Sequence, residues 1–189
     1  MLKKAPRASF LQSLFERDTK LIRHRSLWDR RGRSLGFSKE LAKAGDKPRC
    51  FFLAGTRVAR ALEALADELL TQDCKVDFNI VKDDTSDLIT RYHTDAVLSY
   101  EENLAKALNA DVLIDINQPG QAGLTLRPLE AAFFNKKLIT DNRLVKKLEF
   151  YHPDRFYILG EERRALSSSW LHQRPRSSRQ PCISTALKD

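Results

Sequence analysis

Val112-Leu113-Ile114-Asp115-Ile116, followed by Asn117-Gln118-Pro119-Gly120-Gln121-Ala122-Gly123-Leu124-Thr125-Leu126-Arg127-Pro128-Leu129-Glu130-Ala131-Ala132-Phe133, is the stretch on which the fold turns. Its first five residues, apolar but for Asp115, form a run of strand length. A run of that kind, with no polar face, predicts a strand covered on both sides, as in a parallel sheet. The middle is polar and carries Gly120 and Gly123. Leu126, Leu129, Ala132 and Phe133 then recur at helical spacing. A strand, a glycine-bearing loop and a helix follow one another without a break.

The same order repeats outward from this stretch. Upstream, Cys50-Phe51-Phe52-Leu53-Ala54 ends at Gly55, and Val58, Ala61, Leu62, Leu65 and Leu69 give the apolar face of a helix. Val76 to Val81 predicts a second strand, broken by Asp83-Asp84-Thr85-Ser86. Ser99 with Glu102 three places on is a capping box, so a helix is expected from Tyr100 to Leu108. Downstream, Leu138-Ile139-Thr140 predicts a short strand, Arg143 to Glu149 a short helix and Phe156 to Leu159 a last strand. Strands alternating with helices favour a parallel sheet covered on both faces. Right-handed crossovers leave a doubly wound α/β sheet as the simplest topology. Ligands of such sheets bind at the carboxyl ends of the strands, near the switch in strand order.

This expected domain spans residues 48–160 of a 189-residue chain. Residues 1–47 are basic, with Lys3, Lys4, Arg7, Arg30, Arg31 and Arg33 among few acids. Lys3, Lys4 and Arg7 beside the amphipathic pattern Phe10, Leu11, Leu14 and Phe15 suit either a helix packed on the protein or one resting on an anionic membrane surface. Residues 161–189, with Arg174-Pro175-Arg176-Ser177-Ser178-Arg179, are expected to form a disordered basic tail. The net charge of +8 favours anionic partners, without choosing among nucleotides, nucleic acid and acidic lipid. Aromatic residues do not interleave with the arginines of the basic ends, so nucleic acid is not expected. The three cysteines, Cys50, Cys74 and Cys182, are widely spaced and suggest reduced thiols in the cytoplasm. No apolar run approaches the roughly 20 residues of a membrane span.

Two loops carry the candidate chemistry. Gly55-Thr56-Arg57 follows the first strand, with Arg60 one turn further. Glycine permits close approach of backbone to a ligand, and free N–H groups at a helix start suit phosphate. A tight turn with solvated arginines is the alternative. The loop is neither a Walker A motif nor a G-x-G-x-x-G fingerprint. In the second loop Thr125 is placed to cap the helix, and Gly123 to Leu126 would present N–H groups. Arg127 opposes the helix dipole there, at a cost of about 0.3–1 kcal/mol unless an anion compensates. Glu130, on the same side, has two oxygens that suit the two hydroxyls of a ribose. A helix-dipole role for Glu130, or a surface pair with Arg127, is the alternative.

The segment from Asp111 through Gly120 to Asn142 resembles the C-terminal half of bacterial surface-polysaccharide glycosyltransferases of GT-B fold, and so does the opening strand with Gly55, Thr56 and Arg60. The resemblance spans roughly residues 48–160 and implies a Rossmann-like domain that binds a nucleotide-sugar. It implies Glu130 on the ribose, with Gly120, Gln121, Gly123, Leu124, Thr125 and Arg127 lining the phosphate loop. Gly55, Thr56, Arg57 and Arg60 would form the second side. Transfer to lipopolysaccharide or capsular polysaccharide is the implied activity, with a glycan or lipid-linked acceptor and no cofactor beyond the donor. The chain has Ala122 where many such enzymes carry a second glutamate eight residues before the ribose one, so no catalytic residue is named. Only roughly 45 residues precede the first strand. The expectation is therefore a fragment, a frameshifted product or one half of a split enzyme, partnered by a separate N-terminal domain. The rival expectation is a non-catalytic nucleotide-binding or interaction domain.

Other candidates are thin. His24, His93, His152 and His172 lack metal-ligand spacing. Asp83-Asp84 resembles the acidic pocket of response-regulator receivers but follows the second strand, not the first. Ser167 to Ser169 lacks a nucleophile-elbow context.

Overall fold

An apolar strand is stable only where helices cover both of its faces, and Val112-Leu113-Ile114 lies at such a place. In the computed structural model, which describes residues 46–84, 86, 88–118, 120–121, 123–161 and 166–173, strand β4 (Val112–Asp115) is buried at every position. It pairs in parallel with β1 (Arg49–Gly55) on one side and β5 (Lys137–Thr140) on the other. Beyond β1 lie β2 (Lys75–Val81) and the short β3 (His93–Thr94), and beyond β5 lies β6 (Phe156–Ile158). All pairings are parallel, and the six-stranded sheet has the order β3-β2-β1-β4-β5-β6. The sheet is doubly wound, as the alternation of strands and helices predicts.

Successive strand residues point to opposite faces, so each strand serves two cores. Cys50, Phe52, Phe78, Ile80, Val112 and Ile114 face α1 (Ala59–Thr71), whose Leu62, Ala66 and Leu69 are fully buried. Phe51, Leu113, Leu138, Phe156 and Ile158 form the other core, with Ala107 of α2 (Tyr100–Asn109) and Ala131 of α3 (Arg127–Phe133). Burial of each large apolar side chain contributes roughly 1.5–3 kcal/mol. Ser99 begins α2 with the expected capping box: its hydroxyl accepts from the Glu102 amide, and the Glu102 carboxylate accepts from the Ser99 amide. Buried cations close the far ends of α2 and α3. Lys136 Nζ donates to the carbonyls of Leu108 and Ala110. Arg155 donates to the carbonyls of Ala131 and Ala132 and to Asn135 Oδ1. Each adds a donor to carbonyls at a helix end and places positive charge where the dipole favours it.

The structure departs from the sequence expectations at three places. The edge strand β3 was not anticipated. The short helix expected from Arg143 to Glu149 forms as a 3-10 helix and stops two residues earlier, at Lys147. The expected disordered tail is corrected for residues 166–173: α4 (Ser168–His172) packs onto the domain, with Leu166 and Leu171 buried in the α1 core. Trp170 explains the docking. Its ring packs against that of Tyr157 in a tilted arrangement, its indole N–H donates to the Pro153 carbonyl, and its own carbonyl accepts from Lys137 Nζ. The basic arm and its Phe10–Phe15 pattern, Cys182 and the Arg174–Arg179 run lie outside the described residues. Cys50 and Cys74 are buried free thiols. Among the described residues no helix is long and apolar enough to cross a membrane.

Candidate functional site

Strand order reverses between β1 and β4. From β1 the chain proceeds outward to β2 and β3, then returns across α2 to β4 on the other side. The loops leaving β1 and β4 therefore diverge, and their parting opens the crevice where ligands of doubly wound sheets lie. Both loops singled out from the sequence belong to this crevice: Gly55 ends β1, and Asn117-Gln118 follow β4.

On the β1 side, Gly55 faces the ends of two other strands. A Cβ built there would stand 3.8 Å from Asp83 Oδ2 and 4.0 Å from Gln118 Nε2. Thr56 is turned inward. Its hydroxyl lies 3.0 Å from His93 Nε2, while His93 Nδ1 accepts the Thr90 backbone N–H at 2.8 Å. An acceptor at Nδ1 puts the ring proton on Nε2, which then donates to Thr56 Oγ1. The histidine thus ties the first loop to the edge strand. Arg57 and Arg60, at the start of α1, are exposed.

The β4 side is stitched down. The Asn117 amide donates to Asp141 Oδ1 at 3.0 Å, and Asn142 Nδ2 donates to the Gly123 carbonyl at 2.9 Å. Gln121 closes the loop on itself: its side chain accepts the Gln118 amide and its own amide donates to the Gln118 carbonyl. Gly120 has φ +84, the left-handed conformation that its lack of Cβ permits. One buried acceptor, Asn117 Oδ1, has no hydrogen-bond partner, a rarity in folded proteins. Leu124 packs against the second core.

Thr125 does more than the sequence foretells. Its hydroxyl accepts the Arg127 amide at 3.1 Å, one place before the formal cap at Leu126, and donates to Asp115 Oδ1 at 2.9 Å. Thr140 Oγ1 donates to the other Asp115 oxygen at 3.4 Å. Asp115 is 4% exposed, and burial pushes its carboxyl up to about 6, although the Thr125 hydrogen bond and the Arg127 charge oppose that rise. Sequence reading left Asp115 as a strand residue. A lone carboxylate in an otherwise apolar buried run was the available signal.

Arg127 and Glu130 come together, but inside the protein. The guanidinium donates to Glu130 Oε2 at 2.7 Å and to Asn103 Oδ1 at 2.9 Å, and lies 5.2 Å from the centroid of the Phe51 ring. Both side chains are only about a tenth exposed, at 12% and 10%. The anion that Arg127 requires at a helix start is supplied by Glu130. The pair is thus buried, not the surface pair weighed from the sequence.

The sequence offers Asp83 only as part of an acidic pair after the second strand and Gln118 only as a loop residue; their placement on either side of Gly55 depends on the strand order. Among the described residues, no group of three or more His, Cys, Asp or Glu side chains is arranged to hold a metal ion. No protein-family model, curated protein or solved structure matches the chain.

Proposed function

We propose that this chain is the donor half of a sugar-transferring enzyme, binding a nucleotide-sugar in the crevice between the β1 and β4 loops. Transfer would be to a lipopolysaccharide or capsular glycan presented by a further domain. The observation that carries this reading is the reversal of strand order between β1 and β4, with a glycine-bearing loop on each side. The resemblance of residues 120–142 to surface-polysaccharide glycosyltransferases supplies the ligand class. In this reading the backbone amides of Gly120, Gly123, Leu124 and Thr125 and the exposed Arg57 and Arg60 hold the diphosphate, and Glu130 meets the ribose. The chain contributes positioning and charge stabilisation for the departing nucleoside diphosphate.

One observation favours the rival, a non-catalytic nucleotide-binding or interaction domain: the Glu130 carboxylate is engaged by Arg127. Titration calorimetry of the full chain with uridine, guanosine and adenosine diphosphates tests both readings. One of them is expected to bind, weakly, because half of the cleft belongs elsewhere. Lost hydrogen bonds to charged groups amount to about 1.5–3 kcal/mol, so Arg57→Ala with Arg60→Ala should weaken binding roughly ten- to a hundredfold. Both positions are exposed, so the melting temperature should not move. The 2′-deoxy analogue should bind less well than the ribose form in wild type and equally well in Glu130→Gln. Absence of binding by every diphosphate would end the donor-site reading. Diphosphate binding without discrimination by Glu130, and without hydrolysis or transfer of any sugar, would favour the rival.

A further inference from the structure

The strand ends over Gly55 carry chemistry that a phosphate site does not need. Phosphate sites gather N–H groups and cations. Here one flank of the glycine is the carboxylate oxygen of Asp83, 3.8 Å from the place of a Cβ, and the other is the amide nitrogen of Gln118, at 4.0 Å. Asp83 is exposed and Gln118 half-buried, so both can be reached from the crevice. An ionised carboxylate only accepts hydrogen bonds, and a side-chain amide nitrogen only donates them. Acceptor and donor flanking a bare stretch of backbone complement a group that both gives and takes a hydrogen bond, which is a hydroxyl. A carboxylate at that distance repels an anion. The cations of this loop, Arg57 and Arg60, stand beyond the glycine at the start of α1.

We infer that Gly55, Asp83 and Gln118 form a subsite that reads the hydroxyls of an uncharged glycosyl ring and rejects an acidic one. The inference rests on the donor-site reading and deepens it: the diphosphate lies towards the arginines and the β4 loop, and the sugar lies over the glycine. The missing Cβ leaves room for the ring face. Asp83 accepts from a ring hydroxyl, and Gln118 Nε2 donates to a ring hydroxyl oxygen. A uronic acid in the same pose brings its carboxylate towards Asp83, so glucose-type and N-acetylhexosamine donors are the fitting class.

The test uses the full chain and three probes: a nucleoside diphosphate, its hexose conjugate and its hexuronate conjugate, for each of uridine, guanosine and adenosine. Calorimetry is expected to show the hexose conjugate binding more tightly than the bare diphosphate, and the hexuronate about tenfold more weakly than the hexose. Asp83→Asn should bring hexose and hexuronate to near equality while leaving the bare diphosphate unchanged. Gly55→Ala makes only ordinary contacts with its neighbours, so the fold tolerates it. It should remove the gain due to the sugar. Amide NMR gives an independent readout: the Gly55 resonance should move with the hexose conjugate and not with the bare diphosphate. Equal affinities of all three probes, or a hexuronate preference that survives Asp83→Asn, would overturn the subsite and leave the nucleotide site standing. No binding by any diphosphate would overturn both.

Discussion

The two loops that border the crevice are built on opposite plans. The β1 loop is open: Gly55 has bare backbone and Arg57 and Arg60 reach solvent, while Thr56 is held through His93 and Val58 by the core. The β4 loop is fastened at several points by the ends of β4 and β5, through Asp115, Thr140, Asp141 and Asn142. Behind it sits a buried ion pair, Arg127 with Glu130. The difference teaches that polar residues in equivalent places, just after parallel strands, serve different ends. On one side they are left for solvent and ligand, and on the other they hold the backbone in shape. A binding loop whose amides must keep one geometry gains from such fixing, because little ordering remains to oppose binding.

The comparison is most easily broken at the ion pair. Arg127→Ala leaves Glu130 buried without its cation, and urea unfolding should show a loss of about 3–5 kcal/mol. Replacing both residues, Arg127→Met with Glu130→Leu, should cost less than the single change, since no buried charge is stranded. A double change that costs as much as the two singles summed would mean that the pair is not coupled.

Next in size is the buried carboxylate. Asp115 titrates at about 6 in the folded protein against an ordinary value of 3.8. The folded state therefore holds the proton more tightly than the unfolded one. That contribution is complete below pH about 4 and is lost as pH rises through about 6. The loss is on the order of 3 kcal/mol for a shift of this size. Asp115→Asn should abolish this part of the stability-against-pH curve, read as urea midpoints from pH 4 to 8. Parallel curves for variant and wild type would show that Asp115 is not the titrating group.

Thr125→Val tests the fastening itself. It removes one hydrogen bond to Asp115 and one from the Arg127 amide, and about 1–2 kcal/mol should go with them. Hydrogen exchange should quicken at the Arg127 amide and remain unchanged at β2. The smallest effect belongs to the open loop. Arg57→Ala and Arg60→Ala should each change stability by no more than about 0.5 kcal/mol, since both residues are exposed. A larger loss there would mean that the arginines belong to the fold and that the two loops are more alike than their contacts indicate.

What was legible in the sequence follows the same division. The strands around Cys50–Ala54, Val112–Ile114, Leu138–Thr140 and Phe156–Ile158 could be read because burial on both faces demands a largely apolar run, and Val76–Val81 because its apolar residues alternate with Asp77 and Asn79. The Ser99–Glu102 box could be read because its contacts are local. β3 was hidden: its two residues are polar and hold strand geometry only because the edge of β2 offers a partner. α4 was hidden because its anchors, such as Lys137, Pro153 and Tyr157, lie far back along the chain. Arg127 and Glu130 were legible as partners, but their burial depends on Asn103 and Phe51, which no local pattern connects to them. Asp83 and Gln118 meet over Gly55 only after the strands are ordered, so spacing alone gave no reason to group them.

Docking of α4 has a practical consequence for where this domain stops. Leu166 and Leu171 are 2% exposed, in the core that holds Leu62 and Leu69, and the His172 ring lies 3.1 Å from the carbonyl of Gln72. A chain cut after Gly160, where the strands end, would expose an oily strip along α1 to water. It would also deprive the buried Lys137 ammonium of the Trp170 carbonyl and ring. Such a shortened protein should aggregate on expression, whereas one ending after Gln173 keeps the strip covered. The last strand marks the edge of the sheet, and the folding unit runs on at least through the helix that follows it.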